Sequence, residues 1–498
     1  MSRSYYVTTP IYYANAEPHI GHTYTTVVVD TLVRWHRAHG AETWSVSGTD
    51  EHGEKMVEAA AKAGVAVGVF TERISGVHQR TWSELDLAVS RFVRTTDPKH
   101  VANVQRALQH VYDAGWIEQR EYEGLYCVGC ERFLTERDLV NGVCRDHERP
   151  PEPRRETNYF FRMSREFAWL REYILEHDDF IRPERFRNEA LAMLRDESGL
   201  GDLSISRPKT RLDWGVELPF DRAHVCYVWF DALLSYLTGA GWPDDPRFAE
   251  RWANAEHLIG KDILKPHAIF WPIMLKALGL APYRHLSVHG YWTQDERKVS
   301  KSLGNAISPL TMRDRYGFEA FRYFLLREMS FGLDATFSEE AMVERVNADL
   351  ANNLGNLVSR TLNLVEKLCG GVIPEPVESG DAEEKLTLAY GVARNGVESA
   401  MDELRFHDAL AHVIGHAGAV NRYLDAYAPW KAVKQPGGEA VVRTSLHYTA
   451  HHIRRVAELL SSFLPGLSTE ILRRLGAPGA RVSKGEALVP RLELKTDG

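Results

Sequence analysis

The 498 residues carry 44 % hydrophobic side chains, enough for about two to four domains, each with a core of its own. No run approaches the roughly 18 uninterrupted apolar residues of a membrane span, and the first residues lack the apolar centre of a signal peptide, so a cytoplasmic protein with no membrane partner is expected. The formal charge of −8 excludes indiscriminate coating of nucleic acid and leaves any RNA contact to local basic patches.

Tyr5, Tyr6, Val7, Thr8 and Thr9 form a short strand-like run, and Ile20, Tyr24, Val27, Thr31 and Trp35 recur at helical spacing. Between them lies His19-Ile20-Gly21-His22. A helix N-terminus attracts phosphate through unpaired amides and its dipole. Two imidazoles there can donate to phosphoryl oxygens as charge develops; the plainer alternative is a capped helix with two surface histidines. A second strand-like run, Thr43 to Ser47, ends in Gly48-Thr49-Asp50-Glu51-His52-Gly53. An acid at the carboxyl edge of an α/β sheet can hold an ammonium group, or the string is an ordinary polar turn. From Phe70 to about Gly115 the pattern reads as helical.

The chain has five cysteines. Cys127-Val128-Gly129-Cys130 and Cys144-Arg145-Asp146-His147 have the spacing of two knuckles closing on one tetrahedral zinc ion. Three thiolates and an imidazole leave no open position, so the expected zinc is structural. Cys226 and Cys369 read as buried thiols. After Pro150, Pro151 and Pro153, strand and helix resume, and residues 182–211 are rich in arginine. Trp229, Leu233 and Tyr236 lie at helical spacing and suit one wall of an apolar pocket, or simply the core. Gly260 and Asp262, just past a strand, suit a ribose hydroxyl contact.

In Arg297-Lys298-Val299-Ser300-Lys301-Ser302, two lysines flank a serine where they can neutralise phosphates; a solvated loop is the bland reading. Beyond Ser302 the composition turns helical. Asn356 and Arg360 fall four apart on one helix face, residues 370–384 read as a linker, and Phe406 to Tyr427 is amphipathic, with His412 and His416 expected to face solvent. Ala428-Pro429-Trp430 ends that helix. A last helix is expected from about Glu439 to Leu464, and a loosely ordered tail after Gly479. No internal repeats are present.

The string His-Ile-Gly-His after an N-terminal strand resembles the first signature of the class I aminoacyl-tRNA synthetases, and Lys-Val-Ser-Lys-Ser resembles their second, with Val299 where methionine is usual. With the acid at Asp50, the apolar pocket and the single knuckle in this order, nearly the whole chain resembles methionyl-tRNA synthetase of the bacterial type. The resemblance implies an α/β fold: a Rossmann-like parallel-sheet catalytic domain split by a zinc-knuckle insertion, followed by an all-α anticodon-binding bundle. It implies catalytic halves at 1–116 and 223–295 around an insertion at 117–222, then a signature-loop and stem-contact region at 296–348, the bundle at 349–480 and a tail at 481–498.

It further implies an ATP-dependent ligase that forms methionyl-adenylate with Mg2+ and passes the methionyl group to initiator and elongator tRNA(Met). His19, His22, Lys298 and Lys301 would be catalytic, and Gly21, Gly260 and Asp262 would join them around ATP. Methionine would lie among Ile11, Tyr13, Asp50, Trp229, Leu233, Tyr236, Ile263 and His267; Leu233 departs from the proline of some relatives. Cys127, Cys130, Cys144 and His147 would hold zinc, and Asn356, Arg360 and Trp430 would read the anticodon. Arg207 would help hold the active-site loop. A monomer is expected, with no large editing domain in the insertion. Three rivals stand beside this reading. A cysteine enzyme would need zinc in the pocket, a small nucleotidyltransferase would not need the helical third, and a non-catalytic RNA-binding derivative would not need both histidines and both lysines.

Overall fold

The computed structural model describes residues 4–128, 132–134, 138–145, 148–196, 200–294, 297–298 and 307–495. It divides into two compact units, Met1–His289 and Gly290–Gly498.

The first unit is built on strands β1 (Ser4–Tyr13), β2 (Glu42–Asp50), β3 (Arg91–Arg94), β4 (Ile181–Arg182), β5 (Ala255–Gly260) and β6 (His285–His289), ordered β3-β2-β1-β5-β6-β4. Every pairing is parallel. Parallel strands need crossover connections, which put helices on the faces and bury both sides of each strand. Seven of the ten β1 residues are accordingly buried, two of them the polar Thr8 and Thr9. The order reverses at β1, whose neighbours are β2 and β5; crevices at such a reversal, outside the carboxyl ends of the strands, are where open α/β sheets bind ligands.

Helix α1 (Ile20–Ala38) follows β1. It is rich in Thr and Val, which lose side-chain freedom in a helix. Burial of Thr23 to Val33 offsets that cost, and the threonine hydroxyls donate to carbonyls four residues back, as Thr23 does to His19 O at 3.0 Å and Thr26 to His22 O at 2.9 Å. Helix α2 (Val67–Glu84) and α3 (Pro98–Asp113) flank β3. The helical reading of Phe70 to Gly115 is therefore corrected: the four-residue edge strand between them buries only Val93, too short to interrupt a helical pattern in sequence. Helix α4 (Val228–Ala240) packs on β2, and Gly239 permits the approach, since a Cβ there would lie 2.7 Å from Val46 Cγ1.

Within the insertion, Ile117–Cys127 pairs antiparallel with Glu152–Phe161 along its length, and its end also pairs with Arg132–Leu134. Cys127 and Cys144 are buried in one small cluster with Leu134, and Leu139 packs against it.

The second unit is mainly helical: Pro309–Tyr316, Phe318–Glu328, Glu339–Val346, Asn356–Leu368, Asp381–Asp402, Phe406–Tyr427, Gly438–Leu460 and Pro465–Leu475. A π-helical stretch, Asn347–Gly355, joins two of these helices. Val397, Leu410, Val413, Ala417, Leu446 and Ile453 build its core. Three expectations are corrected here. His416 is buried, its Nε2 3.2 Å from His452 Nδ1, because the apolar face of Phe406–Tyr427 packs widely enough to cover it; His412 is exposed. The helix expected from about Glu439 to Leu464 is Gly438–Leu460, but it is not the last, since Pro465–Leu475 follows it. The tail is tied down: Asn347 donates to Leu492 O at 2.9 Å and accepts from Leu492 N at 2.8 Å, and Val482 N donates to Gly371 O.

Candidate active site

His19 is the N-cap of α1, in extended backbone conformation. Its Nδ1 accepts from Gly21 N at 3.1 Å, while its own amide donates to His22 Nδ1 at 3.3 Å. This is a reciprocal capping box in which two imidazoles take the places that Ser and Glu usually fill. The rings stack with centroids 3.9 Å apart. Because each Nδ1 accepts, the proton of each neutral ring belongs on Nε2. A Cβ at Gly21 would lie 3.0 Å from His19 Cε1, so glycine makes room for the cap itself.

A layer that the sequence reading missed supports this pair. Tyr12 Oη donates to His22 O at 3.2 Å, and its ring lies 4.6 Å from that of His22. His78 of α2 holds Ala16 O at 2.9 Å, and burial pulls its pKa down to about 4. Thr25 of α1 bonds His289 Nε2 at 2.8 Å, tying α1 to the end of β6. These pairings are not local in sequence, and no motif around Tyr12, Thr25 or His78 points to them.

The carboxyl ends of the strands gather several of the predicted ligand residues. Across β1 and β2, Ile11 pairs with Gly48 and Tyr13 with Asp50; Gly260 of β5 pairs with His289. Asp50 is the buried last residue of β2, and Lys55 Nζ lies 4.1 Å from the centroid of the Tyr13 ring. Asp262 is exposed, in the short turn after β5, where a Cβ on Gly260 would come 2.9 Å from its Oδ1.

On the other side of the sheet edge, Tyr236 of α4 donates to His267 Nε2 at 2.7 Å, and His267 Nδ1 donates to Ile263 O at 2.8 Å. Burial holds His267 neutral, with its pKa down at about 4. His267 sits in a π-helical turn, Pro266–Phe270, a geometry frequent at functional sites. Trp229 is half-buried, its ring edge-on to His267 with centroids 6.3 Å apart. Leu233 and Tyr236 belong to the core cluster against which Tyr13, Trp229 and Ile263 pack. Arg207 is buried with its guanidinium 4.7 Å from the centroid of the Tyr227 ring and 5.3 Å from that of Tyr126.

Two other predicted groups are only partly described. Cys127 and Cys144 share one buried cluster, as two ligands of one metal must, whereas Cys130 and His147 lie outside the described residues. Among the described residues no three His, Cys, Asp or Glu side chains converge as a metal site. Lys298 belongs to the two-residue strand Arg297–Lys298, of which the backbone is described; Val299 and Lys301 lie outside the described residues.

In the second unit, Asn356 is exposed, and Arg360 lies over the Trp430 ring, 4.3 Å from its centroid, and pairs with Asp425. Asn356 and Arg360, with Ser359, Asn363, Leu364 and Lys367, line an open groove of about 510 Å³. A groove edged by amide, hydroxyl and guanidinium groups near an aromatic ring can take unstacked bases.

Comparison with known proteins agrees with this architecture. The family model described as tRNA synthetases class I (M) matches residues 5–148 and 136–362. The methionine–tRNA ligase of Deinococcus radiodurans is 43 % identical over 99 % of this chain and 75 % of its own length. That of Streptomyces coelicolor is 38 % identical over 99 % of this chain and 98 % of its own. A structure of Mycobacterium tuberculosis methionyl-tRNA synthetase in complex with methionyl-adenylate superposes with a TM-score of 0.93 at 37 % identity, covering 99 % of this chain and 100 % of that one. Identity to these ligases over 99 % of this chain and a shared parallel-sheet fold lead to one assignment: the chain belongs to the methionyl-tRNA synthetases of class I.

Proposed function

We propose that this chain activates L-methionine with ATP and transfers the methionyl group to tRNA(Met), initiator and elongator. The observation that carries the reading is the two-imidazole cap of α1 beside the strand-order reversal, in a chain whose relatives are methionine–tRNA ligases. The methionine carboxylate oxygen attacks the α-phosphorus of ATP, and the bond to the bridging oxygen of pyrophosphate breaks. A hydroxyl of the tRNA's terminal ribose then attacks the acyl carbon, and AMP leaves. A carboxylate is already a competent nucleophile, so the first step needs alignment and charge stabilisation more than a base.

His19 and His22 donate Nε2–H to the α-phosphoryl oxygens where negative charge builds. Lys298 and Lys301 neutralise the leaving pyrophosphate, a role read from the sequence motif. Gly21 leaves the helix start open to the nucleotide, and Gly260 and Asp262 meet its ribose. Asp50 takes the methionine ammonium group, while Ile11, Tyr13, Trp229, Leu233, Tyr236, Ile263 and His267 enclose the thioether. Sulfur-to-ring contacts contribute roughly 0.3–1.5 kcal/mol each. Asn356, Arg360 and Trp430 receive the anticodon. Mg2+ accompanies ATP. Cys127, Cys130, Cys144 and His147 hold one structural zinc ion, supported by the shared burial of Cys127 and Cys144. We assign the protein to the cytoplasm, as a monomer; no helix among the described residues is long and apolar enough to cross a membrane.

The test is exchange of pyrophosphate into ATP, with each amino acid in turn and no tRNA. Exchange with methionine alone is expected. Exchange with another amino acid overturns the specificity, and none at all from folded, zinc-loaded protein favours a non-catalytic RNA-binding protein.

A further inference from the structure

Asp231, in the first turn of α4, is 1 % exposed and lies between two imidazoles. His52 Nδ1, just past the end of β2, is 2.7 Å from Asp231 Oδ2, and His100 Nε2, on α3, is 2.8 Å from Oδ1. Both rings are buried, and His100 Nδ1 is 3.1 Å from Thr238 Oγ1 of α4. Burial alone would raise the carboxyl pKa, but the two imidazoles outweigh it and bring it down to about 2. The carboxylate stands two residues after Trp229 and two before Leu233, while His52 stands two after Asp50.

The neighbouring residue is anchored as firmly. Glu51, 0 % exposed, accepts from Arg94 at 2.6 and 3.0 Å, from Ser75 at 2.6 Å and from Thr96 at 2.6 Å. Trp214 Nε1 donates to Glu51 O at 2.6 Å, and its ring lies edge-on to His52. Two successive side chains after Asp50 are thus fixed in the interior. Only the His52 anchor leads to α4.

We infer that the His52–Asp231–His100 bridge is a positioning device that sets methionine affinity by holding Asp50, at the end of β2, against the first two turns of α4, which carry Trp229 and Leu233. The inference rests on the assignment of those three residues to the methionine pocket. A buried hydrogen-bonded carboxylate with two partners fixes distance and direction between the elements it joins, and misplacement of about 1 Å at a site costs on the order of 100-fold. The α1 cap is held by other contacts, through Tyr12, His78 and Thr25. Loss of the bridge therefore acts on methionine more than on ATP.

Pyrophosphate exchange on the full chain provides the test, with the wild type measured first; no methionine-dependent exchange there would remove the functional reading and not the bridge. Asp231→Asn keeps the shape but gives one imidazole a donor where it had an acceptor. The methionine KM is expected to rise roughly 10- to 100-fold, with the ATP KM changed less than about threefold. His100→Gln, whose amide nitrogen can replace Nε2, is expected to stay nearer the wild type than His100→Ala, and this pair serves if Asp231→Asn does not fold. Equal rises in both KM values, a fall in kcat alone, or identical methionine KM values for His100→Gln and His100→Ala would overturn the inference.

Discussion

The stacked rings of His19 and His22 use their Nδ1 atoms to cap the helix on which they stand. Folding and phosphate handling therefore draw on opposite edges of the same side chains. His19→Asn separates the two, because an asparagine oxygen still accepts from the Gly21 amide while its N–H donors, on a shorter side chain, do not reach the position of Nε2–H. Stability should change by less than about 1 kcal/mol, while kcat for adenylate formation should fall roughly 10²- to 10³-fold. Calorimetry and pyrophosphate exchange on the same sample decide; a loss of stability with activity retained would leave the residue a cap and nothing more.

Tyr236→Phe removes the hydroxyl that donates to His267 Nε2. A buried nitrogen left without a donor costs about 1–3 kcal/mol. Since His267 Nδ1 remains fixed to Ile263 O, the ring cannot turn to recover the bond. The expected outcome is a methionine KM raised about tenfold or more in steady-state exchange assays. An unchanged value would place Tyr236 in the core alone.

Metal analysis should find about one zinc per chain, bound by deprotonated thiols and therefore released by acid or chelator. Cys144→Ser should abolish it. Hydrogen exchange should then rise along Ile117–Cys127 and Glu152–Phe161, the antiparallel pair nearest the cluster, before it rises in the parallel sheet. Zinc retained in Cys144→Ser would remove that cysteine from the ligand set.

Trp430→Ala should weaken tRNA(Met) binding by roughly 1–3 kcal/mol, the value of one base stacked on an aromatic ring. It also leaves Arg360 without the ring it lies over, so Arg360→Lys should weaken binding too. Filter binding with tRNA(Met) measures both, and pyrophosphate exchange, which uses no tRNA, is the control. A parallel loss in that control would make the role structural.

The buried pair His416 and His452 predicts acid lability. An imidazole in the unfolded chain takes up a proton as pH falls through about 6.5, whereas burial holds these two neutral down to about 4 and 3. In that interval the unfolded chain binds more protons, so stability is lost as pH falls and is restored as it rises. Melting temperature measured from pH 7 to 4 should drop, and His416→Leu with His452→Leu should flatten the slope. A slope unchanged by the pair would assign the acid sensitivity elsewhere.

What could be read from the sequence was local or periodic. The α/β class followed from the family resemblance carried by the two signatures, with the strand, loop and helix around His19 as its local support, and the proposal of a zinc knuckle rests on cysteine spacing. The bridge at Asp231 could not be read, because His52 and His100 lie 179 and 131 positions away from it, and only the crossover topology brings them together. The strand β3 escaped because one buried valine makes no alternation. His416 was misjudged because helical spacing gives a direction around the axis but not how broadly the neighbouring helix covers it. Tyr12 and His78 gave no motif at all, although they support the residues that did.

The π-helical turn at Pro266–Phe270 holds one residue more than an α-helical turn would. Each residue of an α-helix turns the chain by about 100°. Deleting one position between 268 and 270 would regularise the helix and swing Trp271 away from His257, whose Nε2 now accepts from Trp271 Nε1 at 3.1 Å. Along this segment the number of residues is itself under constraint. Exchange of Ala268 or Ile269 for another apolar residue of similar size is a smaller perturbation than the loss of either, so variation among functional sequences should appear there as substitution and not as a gap.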